Sequence, residues 1–424
     1  MPSMSSKILS IRALEVLDSR GNPTVRCALR TAKCRVSAIV PSGASTGRHE
    51  ALELRDNGKR YGGKGVLTAV RNVNEILSKK IEGMDCTGQE AIDEAMLSID
   101  GTGNKSKLGA NAILAVSLAA CRAGAAHRET PLYEYIKSIS GSKRITLPVP
   151  QFNIINSGRH AGLENDIQEH MILPVKFSSF SEALRAGVEV YHQLKGILKK
   201  KYGAQATLLG DEGGFAPPIR SMEERLDLVM DAISQAGYGK KIKLGLDCAS
   251  SEFFSNGKYT IGKQSFTAPE LIDFYKDLAK VYPLVSIEDG MAEDDWDGWA
   301  LLTREMGGST QIVGDDLLVT NRSRIETAIS RKACNSLLLK VNQIGTVTES
   351  INAAQLSAGN TWSVVVSHRS GETEDDFIAD LVVGLAASQS KFGAPARSDR
   401  TAKYNRLLEI EQELGKKAVF GKLG

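Results

Sequence analysis

Five polar or charged residues each end a short apolar run in the second half of the chain. The runs are KLGLD, LVSIED, QIVGDD, SLLLK and SVVVSHRS, and the residues that end them are Asp247, Glu288, Asp315, Lys340 and His368. Short apolar runs that alternate with helical patterns predict buried parallel strands in repeated β/α units. Because barrel active sites gather at the C-terminal ends of strands, we expect the five side chains to share one pocket.

The three carboxylates among them indicate a metal site. Asp247, Glu288 and Asp315 would repel one another and be costly to bury unless a cation compensated their charge. Ligands that offer only oxygen atoms favour hard Mg²⁺ over zinc. A single acidic residue after a strand is more often a helix cap or a surface ion pair, but three in register favour the metal.

Lys340 has the chemistry of a general base in this setting. It ends the apolar run of residues 336–339, and a lysine beside bound cations is pushed toward its neutral, basic form. By itself it would more often be the partner of a structural ion pair. Beside the three carboxylates we interpret it as the group that abstracts a proton.

Two further segments have the composition of a catalytic site. Residues 210–214 place Asp211 and Glu212 between glycines, which let backbone and substrate approach closely, and the pair Gln168 and Glu169 is expected at the end of an extended run. In isolation, the acidic pair fits an ordinary turn equally well.

The elements that must position these residues divide the chain in two. Residues 7–40 predict strands around a hairpin, and helical patterns follow at 66–81, 87–99 and 108–126, so the first part is expected to be α+β. The small polar segment at residues 140–144 marks the boundary. We predict an α/β protein with a smaller α+β domain at residues 1–141, followed by a β/α barrel at residues 142–424.

Composition excludes several partners. The formal net charge of the 424 residues is +3, too balanced to favour nucleic acid or an anionic membrane surface. Asn111, Ser117 and Arg122 interrupt the most apolar stretch, which therefore predicts a buried helix rather than a membrane span. The six cysteines are scattered, and the start of the chain does not resemble a signal peptide, so a reducing, cytoplasmic setting is expected.

Four motifs resemble those of the enolase family. They are SGASTG at residues 42–47, GDEGGFAP at residues 210–217, KVNQIG at residues 340–345 and SHRSGETED at residues 367–375. The similarity runs from about residue 7 to residue 420, and motifs of this length in this order are highly specific. A lysine base with one or two Mg²⁺ ions stabilising an ene-diolate is the established pattern of the enolase superfamily.

The resemblance implies dehydration of 2-phospho-D-glycerate to phosphoenolpyruvate by a homodimer with two Mg²⁺ ions per active site. Lys340 would remove the C2 proton, and Glu212, supported by Glu169 and Gln168, would assist departure of the hydroxyl. His368 is implied as a further catalytic residue that lines the substrate pocket. The implied metal ligands are Asp247, Glu288, Asp315 and Ser45, and the implied substrate-binding residues are His160, Arg369, Ser370, Lys391 and Ser45.

Five positions depart from the usual pattern of the family, namely Ser157, Arg159, His170, Gly290 and Phe392. Their closeness in sequence to site residues keeps open a divergent paralogue with weak or altered catalysis that acts mainly as a binding protein. A racemase or cycloisomerase of the wider superfamily is a second alternative. Glu212 and the segment Ser367 to Ser370 argue against it.

Overall fold

The computed structural model describes residues 5–44, 46–158, 162 and 164–423. The chain begins with an antiparallel sheet of three strands in the order β1-β2-β3, whose first two strands are joined by the predicted hairpin. The strands are β1 (Ile8–Leu17), β2 (Pro23–Thr31) and β3 (Arg35–Ile39). Alternating buried and exposed residues along β2 show that one face of this sheet packs on the core.

Helices follow the sheet and cover its buried face. Their bounds are α1 (Leu67–Arg71), α2 (Ser78–Ile81), α3 (Gln89–Asp100), α4 (Ala110–Arg128) and α5 (Leu132–Ser140), with a π-helical segment (Asn72–Leu77) between α1 and α2. Nearly every residue of α4 up to Ala125 is buried, as the sequence predicted for this stretch. Within the described ranges, no helix has both the length and the apolar character needed to cross a bilayer.

A nine-stranded sheet forms the second part of the chain. Its order is β4-β15-β14-β13-β12-β11-β7-β6-β5. The strands are β4 (Val149–Pro150), β5 (Phe152–Asn156), β6 (Glu169–Pro174), β7 (Ile242–Asp247), β11 (Leu284–Glu288), β12 (Gln311–Gly314), β13 (Ser336–Leu339), β14 (Ser363–Ser367) and β15 (Gln389–Lys391). Gln151 alone separates β4, which pairs with β15, from β5, which pairs with β6, so the sheet closes into a nearly complete barrel.

Strand direction corrects one prediction. The five apolar runs that we interpreted as strands are parallel to one another, but β6 runs antiparallel to β7. Gln168 and Glu169 therefore lie at the start of an extended run and not at its end. Because β6 is reversed, its first residue Glu169 pairs with Asp247, the last residue of β7, and it reaches the same mouth of the barrel.

Helices surround the barrel, and a small sheet lies after β7. The helices are α6 (Phe180–Tyr202), α7 (Met222–Gln235), α8 (Ala268–Val281), α9 (Trp296–Met306), α10 (Arg322–Arg331), α11 (Val341–Ile344), α12 (Val347–Gly359), α13 (Phe377–Gly384) and α14 (Ser398–Leu414), and the small sheet holds β8 (Phe254–Ser255), β9 (Lys258–Ile261) and β10 (Gln264–Phe266). Capping fixes where helices begin: Thr267 and Glu270 form a capping box at α8.

Buried polar contacts join the N-terminal part to the barrel. Asp93 of α3 accepts hydrogen bonds from the backbone nitrogen and the hydroxyl of Thr348 at 3.0 and 2.6 Å. Arg122 of α4 forms an ion pair of 2.7 Å with Asp375. These contacts fix the N-terminal part against the start of α12 and against the loop that follows β14, which carries the predicted site residues His368, Arg369 and Ser370.

Candidate active site

A buried polar pocket lies at the C-terminal ends of the barrel strands. It is lined by Gln168, Glu169, Glu212, Asp247, Ala249, Asp289, Asp315, Asp316, Lys340, Ser367, His368, Arg369, Ser370 and Lys391. Ten of these were predicted site residues. Four of the five residues that strand spacing was expected to bring together, Asp247, Asp315, Lys340 and His368, line the pocket. Glu288 does not line the pocket, but it touches Lys391, which does.

Two lysines neutralise the carboxylates on one side of the pocket. Lys391 Nζ lies 2.7 Å from Asp247 Oδ2, 2.7 Å from Glu288 Oε1 and 3.3 Å from Glu169 Oε2. Lys340 Nζ donates to Asp315 Oδ2 at 2.5 Å. We call these residues, Lys340 and Lys391 with Asp247, Glu288 and Asp315, the base side of the pocket.

The protonation equilibria on the base side reflect burial and close opposite charges. Burial raises the pKa of Glu288 well above its usual value; Asp247 raises it further, while Lys391 lowers it. Burial lowers the pKa of Lys340, whereas the carboxylates of Asp315 and Glu288 raise it, and the pKa is raised overall. Lys340 was predicted to be neutral beside bound cations. It can lose its proton readily only when the ion pair between its ammonium group and Asp315 is weakened.

The base side also has the chemistry of a cation site. Its donors are carboxylate oxygens, the ligands that Mg²⁺ prefers. Glu288 Oε2 is buried and has no hydrogen-bond partner in the described part of the chain, which leaves one oxygen lone pair to be satisfied. The residues present thus fit a divalent cation.

Sequence reasoning missed two acidic residues beside these carboxylates, Asp289 and Asp316. Carboxylate oxygens of Asp289, Asp315 and Asp316 lie within 4.8 Å of one another. Asp289 adopts a φ of 43°, a strained conformation for a residue other than glycine, and its side chain accepts hydrogen bonds from the backbone nitrogens of Asp315 and Asp316, each at 2.9 Å. The sequence did contain a sign of these two residues, because the runs LVSIED and QIVGDD each end in two acidic residues, the second of which is Asp289 or Asp316.

Glu212 is held on the opposite side of the pocket. Asn153 Nδ2 donates to Glu212 Oε2 at 3.0 Å, and Ser370 Oγ donates to Glu212 Oε1 at 3.2 Å. His368 Nε2 lies 3.2 Å from Glu212 Oε2. Gly213, with φ of 84°, allows the tight turn that carries Glu212 into the pocket. We call Glu212, His368, Arg369 and Ser370 the acid side.

Arg369 is anchored by a residue of the N-terminal part. Its guanidinium donates to both oxygens of Glu50, at 2.9 and 3.1 Å, and to Asn342 Oδ1 at 3.2 Å. Arg400 lies behind the same loop and donates to the carbonyl oxygen of Arg369 at 2.5 Å. Sequence reasoning missed Glu50, Asn153 and Arg400, because nothing in the chain's local pattern pairs residues so far apart.

Two predicted site residues, Ser45 and His160, lie outside the described residues, as does Arg159. Two of the other departures from the family pattern lie outside the pocket. His170 and Phe392 are buried in the core, with Phe392 6.0 Å from the ring of Tyr404, and neither lines the pocket.

Two more of the five departures are accommodated by local packing. A side chain at Gly290 would come within 2.9 Å of Ile287 and Leu302, which explains the small residue there. Ser157 donates its hydroxyl to the carbonyl oxygen of Ile167. This hydrogen bond joins the chain after β5 to the chain before β6.

Fold and site together define a β/α-barrel enzyme. One side of its pocket holds a network of lysines and carboxylates, and the other side holds a glutamate on a glycine-rich turn. Comparison with known families shows that residues 8–136 match the model of the enolase N-terminal domain and residues 144–423 that of the enolase C-terminal TIM barrel domain. The chain is 56% identical to the enolase of Methanopyrus kandleri over 420 residues, 98% of each protein. The chain therefore belongs to the enolase family.

Family membership confirms the reaction class and fold implied by the motifs. The chain is a hydro-lyase, and its reaction is the dehydration of 2-phospho-D-glycerate to phosphoenolpyruvate. The predicted barrel with a smaller α+β part before it is also confirmed. Neither the comparisons nor the pocket favours the divergent paralogue. The boundary between residues 141 and 142 stays a prediction.

Proposed function

We propose that Lys340 is the base that removes the C2 proton of 2-phospho-D-glycerate. The observation that carries the proposal is the contact of 2.5 Å between Lys340 Nζ and Asp315 Oδ2 at the ends of neighbouring barrel strands. Removal of a proton next to a carboxylate places extra negative charge on the substrate. Proton removal by the lysine is therefore favourable only where nearby positive charge stabilises the negative charge on the substrate.

On the other side of the pocket, Glu212 acts as the acid that protonates the leaving hydroxyl. Its carboxyl group is fixed by Asn153, Ser370 and His368, which leaves little freedom to rotate. Burial raises the pKa of Glu169 well above its usual value, and the charge of Glu212 raises it further. Two carboxyl groups that repel each other in one buried pocket favour the state in which one is protonated, so Glu169 supports the acid. Gln168, which lines the same pocket, is assigned to the same support.

Recognition of the substrate phosphate is assigned to Arg369 and Ser370. A planar guanidinium binds an anion through two parallel hydrogen bonds, the geometry that Arg369 already makes with the carboxylate of Glu50. Lys391, beside Asp247 and Glu288, is placed for the substrate carboxylate. Ser45 and His160 complete the proposed binding set on the strength of the motifs alone.

The proposed cofactor is Mg²⁺, two ions per site, with Asp247, Glu288 and Asp315 as ligands of one ion and Ser45 as a ligand of the other. When bound, the ions would offset the carboxylate charge, weaken the hold of Asp315 on the Lys340 ammonium and stabilise the negative charge that develops on the substrate. The unsatisfied oxygen of Glu288 supports this assignment.

A homodimer in the cytoplasm is the proposed state of the protein. All six cysteines, which lie in the described ranges, are free thiols, a condition suited to a reducing compartment. Strand β1 lies at the edge of its sheet, and Leu9, Leu14 and Leu17 on it are each about half exposed, so we assign this edge as the contact with a second copy. Light scattering should give the mass of a dimer, and Leu14→Glu should shift it toward the monomer.

The experiment that tests the function follows phosphoenolpyruvate formation from 2-phospho-D-glycerate by ultraviolet absorbance, with Mg²⁺, with a chelator, and after Mg²⁺ is restored. We expect turnover that the chelator abolishes and Mg²⁺ restores. Glu288→Gln should raise the Mg²⁺ concentration for half-maximal rate at least about tenfold. The matched control is Glu305→Gln, on the outer helix α9. Equal effects of the two variants would refute the ligand assignment.

A further inference from the structure

Arg400 is a fully buried arginine near the start of α14 that touches the acid side from behind. Its Nη1 donates to the carbonyl oxygen of Arg369 and lies 2.5 Å from His368 Nδ1. Its Nη2 donates to the carbonyl oxygen of Ser370 at 2.6 Å and to that of Asp211 at 3.1 Å. One guanidinium thus serves acceptors on both segments that carry the acid side.

The contact with His368 decides which ring nitrogen carries the proton. A guanidinium has only donors, so the nitrogen that faces it must accept, and His368 Nδ1 is therefore unprotonated. In a neutral imidazole the proton then sits on Nε2, which lies 3.2 Å from Glu212 Oε2. Burial lowers the pKa of His368 to about 3; Glu212 raises it and Arg400 lowers it, so the ring is neutral at physiological pH.

We propose that Arg400 is a positioning residue that locks His368 in the tautomer protonated on Nε2. Nε2 then carries a proton beside Glu212 and has no free lone pair with which to accept the proton of the acid. This inference rests on the proposed role of Glu212 as the acid. In that step the carbon–oxygen bond breaks, its electron pair leaves with the hydroxyl oxygen, and the proton of Glu212 joins that oxygen to form water.

Loss of the hydrogen bond from Arg400 to His368 Nδ1 changes the chemistry beside Glu212. Without a donor at Nδ1, the other tautomer becomes accessible, and its bare Nε2 is a base 3.2 Å from the carboxyl group of Glu212. The proton that the leaving hydroxyl needs would then be shared with His368. Since general acid catalysis contributes about 10²–10⁴-fold, we expect a fall in kcat of at least about tenfold.

The same guanidinium also holds the backbone of Arg369 and Ser370, so its removal is expected to raise the KM for substrate as well. A purely structural role would move KM or stability but would leave the tautomer of His368 unchanged. The direct readout is therefore the ¹⁵N chemical shifts of His368 in protein labelled with ¹⁵N-histidine. His368→Gln identifies the resonances among those of the six histidines.

The experiment compares wild type, Arg400→Met and Arg400→Lys in that spectrum and in steady-state kinetics. We expect wild-type His368 to be neutral with the proton on Nε2, Arg400→Met to gain the Nδ1-protonated form with a lowered kcat, and Arg400→Lys, which keeps a charged donor, to recover part of both. The control is Arg406→Met, two turns along α14, which loses an ion pair with Asp380 but should leave the His368 spectrum and kcat unchanged.

A wild-type His368 protonated on Nδ1, or on both nitrogens, would overturn the proposal without any variant. So would an Arg400→Met protein that folds and keeps the wild-type spectrum, or one that changes tautomer without loss of kcat. Failure of the proposed acid role would appear differently: Glu212→Gln would retain kcat while the spectrum still changed with Arg400.

Discussion

The base side of the pocket is built from strand ends, whereas the acid side is built from loops fastened by distant residues. Asp247 and Glu288 are the last residues of neighbouring parallel strands and pair in register. Arg369, by contrast, depends on Glu50 in the N-terminal part and on Arg400 in the last long helix. Strand pairing thus brings the carboxylates of Asp247 and Glu288 together, whereas the acid side needs contacts between segments far apart in the chain.

The largest effect that distinguishes the two sides is expected from Lys340→Ala. Removing the base should lower kcat at least about 10³-fold and leave the fold intact, because alanine has no nitrogen to take the C2 proton. Phosphoenolpyruvate formation with saturating Mg²⁺ is the measurement. Lys280→Ala, at an exposed lysine of α8, should match wild type. Retained turnover in the Lys340 variant would move the base elsewhere.

On the acid side, Glu212→Gln should lower kcat about 10²-fold with a small change in KM. The amide preserves the shape of the side chain and one acceptor oxygen but has no acidic proton to give to the hydroxyl. The steps can be separated by exchange of the C2 proton with deuterated solvent, which should persist in this variant and vanish in Lys340→Ala. Loss of exchange in both would mean that the two sides do not act independently.

A smaller effect, on binding, is expected from Arg369→Lys. Lysine keeps the charge but cannot form two parallel hydrogen bonds, so the KM for 2-phospho-D-glycerate should rise about tenfold while kcat changes less. Steady-state kinetics over a range of substrate concentrations measures the split. Arg331→Lys, at an exposed arginine, serves as the control. An unchanged KM would remove Arg369 from the phosphate site.

The smallest effect concerns a buried residue outside both sides. Burial lowers the pKa of His170 well below its usual value, and Arg225 lowers it further. The unfolded chain therefore binds a proton that the folded chain does not, and stability falls as the pH drops below about 6.5. His170→Phe should reduce this loss of unfolding free energy at low pH by up to about 1.4 kcal/mol per pH unit. Urea unfolding at pH 5 and pH 8 tests it, with His192→Phe, at an exposed position, as the control.

The sequence by itself determined the strand ends and therefore the base side. The apolar runs ending in Asp247, Glu288, Asp315 and Lys340 could form buried parallel strands, and the geometry of a barrel then requires their ends to meet. The motifs supplied the residues of the acid side and the family. Glu169 reaches the predicted pocket although strand β6 runs in the opposite direction, because the start of β6 lies beside the end of β7.

Only the tertiary structure decided the partners of those residues. The ion pair of Glu50 with Arg369, the bridge from Lys391 to two carboxylates and the four acceptors of Arg400 join segments with no common pattern in the sequence. Such contacts arise when separate segments are packed together and every buried polar group must find a partner. Strand periodicity depends on neighbouring residues, whereas these pairings depend on how the whole chain closes around the pocket.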